Sequence, residues 1–240
     1  MRNFRFIIIL PIILFVTANV YGHGYVFSKA NEEMKDNVMI EINQNFMIIR
    51  FQSIYLGQIA PHIRLMIDIN GDESLTKSEI DQFFNVYKEL INQKLSTRHL
   101  FLDEQPLQLN CITVIAPTLD SDSLLAPFLV EMVFSIMSFE LKTGENELII
   151  DPTVLFETGN QFLRMAKDSV EFTQEQEKAI GRFLQINVVG AENISFISTY
   201  PGRIKQKDKM AQIYGVFYEK TPLLDSGKNY PFIRIKLRVS

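Results

Sequence analysis

The sequence is poor in residues on which many extracellular and catalytic sites depend: it has one cysteine, no tryptophan and three histidines among 240 residues. The single cysteine, Cys111, excludes an intramolecular disulfide, so the fold must depend on its hydrophobic core. Leu109 and Ile112 lie close to Cys111, which predicts a buried strand residue rather than a nucleophile. Hydrophobic residues make up 47% of the chain and charged residues 22%, which is the composition of a folded globular protein.

The motifs of common enzyme classes are missing as well. The chain contains no Gly-x-Ser-x-Gly, no His-Glu-x-x-His and no glycine-rich phosphate loop. His62 and His99 are the histidines that a catalytic triad would have to use, and the sequence places them on a short helix and before a strand. We expect both to be surface or hydrogen-bonded polar residues rather than general bases. These absences argue against a hydrolase.

The amino terminus predicts export. Two arginines precede an apolar run over residues 6–16, and Val20-Tyr21-Gly22 suits cleavage before His23. We therefore expect residues 1–22 to be a signal peptide and the mature protein to be extracytoplasmic, either periplasmic or secreted. Cleavage leaves 22 of the 24 basic residues against 28 acidic ones, a net charge of −6, which disfavours nucleic acid as a partner.

The most informative stretch is the twelve-residue segment Asp68–Glu79, DINGDESLTKSE. Oxygen-bearing residues occupy its positions 1, 3, 5, 7, 9 and 12, which is the ligand spacing of an EF-hand calcium loop. The side chains of Asp68, Asn70, Asp72 and Glu79 are predicted ligands. Ser74 is predicted to bind through its backbone carbonyl, and Thr76 to bind directly or through a water molecule. Leu75 at position 8 is expected to turn inward. Glu73 stands at position 6, where the motif has glycine, and must adopt a positive φ or reshape the turn.

Helical patterns flank this loop on both sides. Ile59, Ile63 and Met66 recur at helical spacing before it, and Pro61 suits the first helical turn. After the loop, a helix to about residue 95 is predicted from one apolar face, formed by Ile80, Phe83, Phe84, Tyr87, Leu90 and Ile91. The loop is thus predicted to lie in a helix-loop-helix insertion at about 59–95 and to bind one calcium ion.

A capped turn is the alternative interpretation of the same residues. Thr76-Lys77-Ser78-Glu79 is a helix capping box, which accounts for Thr76 and Glu79 without any metal. The capping box leaves unexplained the three further oxygen side chains at alternate positions, and it does not explain Leu75. A calcium site is therefore the favoured interpretation.

The rest of the chain predicts β-structure. Strands are expected at 38–43, 46–55, 100–103, 106–115, 128–141, 148–150, 186–189, 194–199, 211–218 and 230–239. Tight turns are expected at 43–45, 103–105 and 142–146, each closing a hairpin. A second capping box at Thr173–Gln176 predicts a helix near 174–184. The predicted fold class is mainly β with a helical insertion: an antiparallel β-sandwich over 23–240 that carries one EF-hand-like helix-loop-helix.

The order of these parts resembles a known arrangement. A strand pair over 38–55 precedes the Asp-x-Asn-Gly-Asp loop and its helix, and Leu100–Leu107, Thr143–Leu148 and Tyr200–Arg203 follow. Over about half of the mature chain, this order resembles the extracytoplasmic EF-hand-containing region of nickel/cobalt exporter-type and of hydrogenase/urease accessory membrane proteins. The resemblance implies a sensing or adaptor role beside a membrane or exported protein partner. No membrane domain is expected after Arg203, so transport is not implied.

His23 supports a second class of function. As a mature amino terminus, its amine and imidazole would form a bidentate copper ligand. His23-Gly24-Tyr25-Val26 resembles the start of mature lytic polysaccharide monooxygenases, which use an N-terminal histidine with a second histidine, although the disulfides and tryptophans common in those enzymes are absent here. The sequence therefore favours a non-enzymatic calcium-binding module, with a copper-dependent redox or other enzyme centred on His23 as the alternative.

Overall fold

The computed structural model describes residues 32–56, 59–72, 74–94, 100–117, 127–137, 139–151, 181–205, 209–213 and 232–240. The chain divides into two compact units, Met1–Ala30 and Asn31–Ser240, and every described residue belongs to the second. The predicted signal peptide at 1–22 and His23 lie outside the described residues, so both stay predictions. In the described part of the chain, no helix is long and apolar enough to cross a bilayer.

Strands dominate the described residues, which confirms the prediction of a mainly β protein. The two helices are α1 (Ile59–Ile67) and α2 (Lys77–Lys94), close to their predicted bounds. The strands are β1 (Glu32–Ile42), β2 (Met47–Tyr55), β3 (Leu100–Leu102), β4 (Gln105–Pro106), β5 (Gln108–Ile115), β6 (Phe128–Met137), β7 (Gly144–Ile150), β8 (Gly181–Gly190), β9 (Ile194–Tyr200), β10 (Arg203–Lys205), β11 (Met210–Ile213) and β12 (Ile233–Val239).

Seven of these strands form one sheet in the order β10-β11-β8-β1-β2-β6-β5. β1 and β2 are the first predicted hairpin, antiparallel with Ile42 opposite Met47. β6 and β5 extend the sheet antiparallel on one side, whereas β8 runs parallel to β1 on the other. The prediction of an antiparallel β-sandwich is therefore wrong at this pair. A parallel pair needs a long crossover connection, which local sequence patterns do not reveal.

Five strands form a second sheet in the order β4-β3-β7-β12-β9, and all of its pairs are antiparallel. β3 and β4 make a hairpin with Asp103 and Glu104 at φ +47° and +67°, the conformation that a two-residue turn requires. The predicted tight turn is thus confirmed, but the predicted strand 106–115 is divided. Its first residue, Pro106, ends β4, and residues 108–115 become β5 in the seven-stranded sheet.

The hairpin predicted around 142–146 is wrong. β6 belongs to the seven-stranded sheet and β7 to the five-stranded sheet, so the two strands do not pair. Phe139 and Leu141 are buried in the segment between them, and the Leu141 N–H donates to the Gln44 carbonyl at 2.8 Å. These buried anchors carry the chain from one sheet to the other instead of turning it back on itself.

The helix predicted near 174–184 is wrong over its last four residues. Gly181–Gly190 is strand β8, and residues 174–180 lie outside the described residues. β8 has a strand on each side, β1 and β11, and its Ile186 and Val188 are buried. Pairing on both edges and burial of β-branched side chains outweigh the local helical pattern.

One hydrophobic core contains residues of both sheets and both helices. Phe51 and Phe128 come from the seven-stranded sheet, Ile235 and Leu148 from the five-stranded sheet, and Tyr87 from α2, and all five are fully buried. Each large apolar side chain buried in this way contributes about 1.5–3 kcal/mol. The helices on either side of the predicted calcium loop are therefore held by the same core as the sheets.

Candidate metal centre

Helix α1 positions the first candidate ligand. Ala60, Ile63 and Ile67 are fully buried, and they fix one face of the helix on the core. The helix ends at Ile67, and the Asp68 N–H still donates to the Arg64 carbonyl at 3.0 Å. Asp68 itself is only 9% exposed. The first loop position therefore lies where the chain leaves the core.

Three hydrogen bonds between residues close in sequence shape the first half of the loop. The Oδ1 atoms of Asp68, Asn70 and Asp72 each accept a backbone N–H two or three residues further along the chain. The Gly71 N–H donates to Asp68 at 2.8 Å, the Asp72 N–H to Asn70 at 2.8 Å and the Ser74 N–H to Asp72 at 2.9 Å. These turns direct the side-chain oxygens toward the loop backbone. An ionised carboxylate retains further lone pairs for a second partner.

The left-handed residue in this half of the loop is Gly71, at position 4. Its φ is +72°, a conformation that glycine adopts without steric cost. A Cβ atom at this position would meet nothing within 4 Å, so the space around the turn is open. The residue predicted to be strained, Glu73 at position 6, lies outside the described residues.

The second half of the loop ends in the capping box. Helix α2 begins at Lys77, so Thr76 is its N-cap and Glu79 its third residue. Glu79 Oε2 accepts the Thr76 N–H at 2.9 Å and the Thr76 hydroxyl at 2.7 Å, while the Glu79 N–H donates back to Thr76 Oγ1 at 3.3 Å. Glu79 Oε1 also accepts the Asn70 N–H at 3.3 Å. This last bond is not part of a capping box, and it joins the end of the loop to its beginning.

These contacts favour the charged form of Glu79. The side chain is buried at 8% exposure, yet the pKa of its carboxyl is lowered, chiefly by the Thr76 hydroxyl and then by the Thr76 N–H. The Asn70 N–H contributes in the same direction. Glu79 is therefore an anion at neutral pH, as both a helix cap and a cation ligand require.

Leu75 and the apolar face of α2 fix the loop on the core. Leu75 is half-buried and packs against the core, which confirms the prediction that it turns inward. Phe83 and Phe84 are buried in edge-to-face contact with ring centroids 5.5 Å apart, and Tyr87 stacks on Phe83 at 6.4 Å. Such aromatic pairs add about 0.5–1.5 kcal/mol beyond the burial of their area.

The candidate ligands do not form a closed coordination sphere. Among the residues that the structure describes, no three His, Cys, Asp or Glu side chains come together as a metal-binding group. Asp68 and Glu79 are buried. The other candidates are exposed, namely Asn70, Asp72, Ser74 and Thr76. The donor set nevertheless fits a hard cation, because all six candidates offer oxygen.

Of the other candidate residues, the structure describes His62 and Cys111. His62 lies in α1, whereas His23 and His99 lie outside the described part of the chain. Cys111 is 2% exposed in β5, and burial raises the pKa of its thiol to about 11. The prediction of a buried strand residue is confirmed, and the raised pKa disfavours the thiolate that a nucleophile requires.

Two polar residues with specific contacts were not predicted from the sequence. Arg64 in α1 is buried, its guanidinium lies 5.3 Å from the centroid of the Phe128 ring, and burial lowers its pKa. Asn92 in α2 donates Nδ2 to the Cys111 carbonyl at 3.1 Å and accepts the Cys111 N–H on Oδ1 at 2.7 Å. In the sequence, each of the two is a polar residue beside the apolar face of a predicted helix, and this position could have indicated a specific contact.

Comparisons with known proteins do not assign this arrangement to a family. No protein-family model matches the chain, and no curated protein matches it. A solved structure, that of native yeast LTA4 hydrolase, aligns over 94% of this chain at 7% sequence identity with a TM-score of 0.27. The chain spans about a third of the length of that protein, 33%. A TM-score this low does not establish a shared fold, so nothing about function follows from it.

Proposed function

We propose that this protein is an exported calcium-binding module in which the loop 68–79 holds one Ca²⁺ ion. The proposed ligands are the side chains of Asp68, Asn70, Asp72 and Glu79, the carbonyl of Ser74, and Thr76 directly or through a water molecule. The role is non-enzymatic, as a sensor, an adaptor or a structural element. No catalytic residue is assigned.

The bond between the Asn70 N–H and Glu79 Oε1 is the observation that carries the proposal. A helix cap needs only the contacts between Thr76 and Glu79, which a capped turn would satisfy without reaching the start of the loop. The additional bond brings the carboxylate at position 12 to the ligand at position 3. Chain ends that are already close reduce the entropy cost of closing the loop around an ion.

Ion binding requires one further movement. Asp68 and Glu79 are buried, whereas Asp72 is exposed, so Asp72 has to turn inward to join them. Bringing three carboxylates together without a cation raises the free energy through like-charge repulsion. A divalent cation removes that repulsion, which makes closure depend on the ion.

The expected affinity is weak, with a dissociation constant on the order of 10⁻⁴–10⁻³ M, as in extracellular calcium modules. Asp68, Asp72 and Glu79 supply only three formal charges. The motif glycine at position 6 is replaced by Glu73. The sequence offers no second loop that would pair with this one and preorganise it.

The proposed fold includes the helix-loop-helix as an insertion. We infer an antiparallel β-sandwich, interrupted by the parallel β1–β8 pair, that carries α1, the loop and α2 as an EF-hand-like insertion between β2 and β3. The core shared by both sheets supports the sandwich. In this arrangement, ion binding would stiffen an insertion that is anchored on the core at both ends.

The partner proposed for such a module is a membrane or exported protein. The acidic net charge argues against nucleic acid. The resemblance in part order to extracytoplasmic regions of metal-related membrane proteins supports a sensing or adaptor role. The signal peptide predicted at residues 1–22 supports a location in the periplasm or outside the cell.

Calcium titration by calorimetry tests the proposal. The mature wild-type protein should bind one Ca²⁺ per chain, and Glu79→Gln should weaken binding by about tenfold or more, because losing even an outer-shell partner of a metal ligand typically costs about 10–100-fold. Glu89→Gln is the matched control, since Glu89 is an exposed residue of the same helix and loses the same charge. Equal binding by both variants would contradict the ligand assignment.

The same preparation distinguishes the copper alternative. Its amino terminus is sequenced, and the protein is titrated with Cu²⁺ in place of Ca²⁺. One tight copper ion per chain on a protein that begins at His23, without calcium binding, would replace the calcium proposal by a copper-dependent enzyme.

A further inference from the structure

The outer edge of β5 has the composition of a strand that pairs with other chains. β5 is the terminal strand of the seven-stranded sheet. Its eight residues, QLNCITVI, contain no charged residue, no proline and no glycine. Edge strands expose backbone N–H and C=O groups, and uncharged segments rich in β-branched residues pair readily with identical copies.

The opposite edge of the same sheet, β10, is protected against pairing with another strand by its own length and charge. β10 has only three residues, Arg203–Lys205, and both of its ends are charged. Short length and positive charge are the usual means by which an edge avoids pairing. β5 has neither of these protections, so its edge needs a cover.

Helix α2 supplies this cover, and Asn92 forms its contact with the strand backbone. The Asn92 side-chain amide pairs with both backbone groups of Cys111, at 2.7 Å and 3.1 Å, as a neighbouring strand would. The contact lies at a β-bulge, where the register of β5 shifts between Cys111 and Thr113. The helix therefore satisfies the backbone hydrogen-bonding groups of the edge at the point where the strand is least regular.

Helix α2 covers the edge of β5 at Cys111 but leaves the strand accessible beyond that residue. Between α2 and the end of β5 lies a groove of about 510 Å³, lined on the strand side by Thr113–Ala116. Ile112 and Ile115 on the strand are 49% and 45% exposed. The Asn92 contact is thus followed along β5 by accessible apolar surface.

We propose that α2 guards the edge of β5 against pairing with β5 of a second copy of this chain, and that Asn92 is the residue that holds the guard in place. This inference does not depend on calcium binding. The partner is a second copy because β5 carries no charge that would repel an identical strand beside it, and uncharged β-prone segments pair with identical copies. Loss of the Asn92 amide leaves the N–H and C=O of Cys111 available to an incoming strand.

The test compares Asn92→Ala with Gln93→Ala in the full mature chain. Gln93 is an exposed neighbour on the same helix, so it serves as the matched control. Sedimentation velocity over a concentration series should show self-association that is stronger for Asn92→Ala than for wild type or Gln93→Ala. Cys111, the only cysteine of the chain, should react with a thiol reagent about tenfold faster in Asn92→Ala, because a lost hydrogen bond corresponds to a factor of this size.

Two further variants separate a guard from a general loss of stability. Asn92→Ala combined with Ile112→Lys places a charge on the exposed strand, and it should restore the wild-type association state while Cys111 stays reactive. Asn92→Asp keeps an acceptor for the Cys111 N–H, and it should give an intermediate labelling rate. The proposal is overturned if Asn92→Ala associates no more than Gln93→Ala. It is also overturned if labelling rises only in proportion to the global unfolding constant measured in urea.

Discussion

Two of the glycines at positive φ in the described part of the chain, Gly71 and Gly202, lie in turns with opposite surroundings. Gly71 in the candidate calcium loop has φ +72°, and a Cβ atom there would meet nothing within 4 Å. Gly202, between β9 and β10, has φ +128°, and its Cβ would lie 2.5 Å from the Gln212 carbonyl oxygen and 2.8 Å from the Ile213 Cα. One turn has open space around it, and the other is packed against backbone.

The difference separates the turn of the proposed ion site from a turn that holds the fold. The Gly202 turn carries the chain from the five-stranded sheet into the seven-stranded sheet, and the close backbone contacts leave no room for a side chain. The loop at Gly71 directs carboxylate and amide oxygens toward its own backbone, and a Cβ atom at Gly71 would contact no neighbour. Substitutions in the two turns should therefore affect different properties, namely stability at Gly202 and calcium binding in the loop.

Gly202→Ala should cause the largest loss of stability. The new Cβ meets two backbone atoms that cannot move away, and the φ of +128° is strained for any L side chain. Strain and overpacking together predict a loss of about 3 kcal/mol. Urea unfolding with wild type as reference measures it, and Gly144→Ala, at φ +101° in open space, is the control for φ alone. A loss no greater than that of the control would show that the turn is not tightly packed.

Gly71→Ala should cost about 1 kcal/mol, the usual penalty of a left-handed L residue without a clash. The open space around Gly71 means that no neighbour has to move. Urea unfolding in the presence of a calcium chelator measures the change without the ion. A loss as large as that of Gly202→Ala would remove the proposed difference between the two turns.

Thr76→Val should lose about 1 kcal/mol at neutral pH and less in acid. The folded protein lowers the pKa of Glu79, so the stability from this contact is present above the unfolded pKa, about 4.3, and is lost as pH falls through the folded value. Urea midpoints of wild type and variant at pH 7 and pH 3, without calcium, should therefore converge in acid. Ser78→Ala, another hydroxyl loss at an exposed position, should show a pH-independent difference.

Ser74→Ala should have the smallest effect. A backbone carbonyl is the proposed ligand at this position, and the side chain is exposed. Both the stability and the calcium affinity should stay near the wild-type values, within about 0.5 kcal/mol. Calorimetry detects any larger loss of affinity, which would mean that the hydroxyl takes part in binding.

Sequence patterns predicted best what depends on neighbours along the chain. Helical periodicity and the capping box gave α1 and α2 to within a residue or two, and they gave the contact between Thr76 and Glu79. The β1–β2 hairpin and the Asp103–Glu104 turn were also predictable, because each lies within a short segment. These signals are local, and so are the structures that they specify.

Pairing between distant segments was not predictable from the same patterns. Nothing in a period of two residues indicates that β6 and β7 enter different sheets, or that β8 runs parallel to β1. The bonds from Asn70 to Glu79 and from Asn92 to Cys111 likewise depend on three-dimensional proximity. The ligand spacing predicted which residues are candidates, but it did not predict that Glu79 already contacts the start of the loop.

The melting temperature of wild type and of Glu79→Gln, with and without calcium, tests the central claim most directly. A ligand that binds only the folded state at a hundredfold excess over its dissociation constant stabilises by about 2.7 kcal/mol. In a chain of this size, that corresponds to a rise of roughly 5–10 °C. We predict this rise for wild type and for the control Glu89→Gln, and at most about half of it for Glu79→Gln, whose calcium affinity is expected to be lower by about tenfold or more. An unchanged melting temperature of the wild-type protein in calcium would show that the loop is a capped turn and binds no ion.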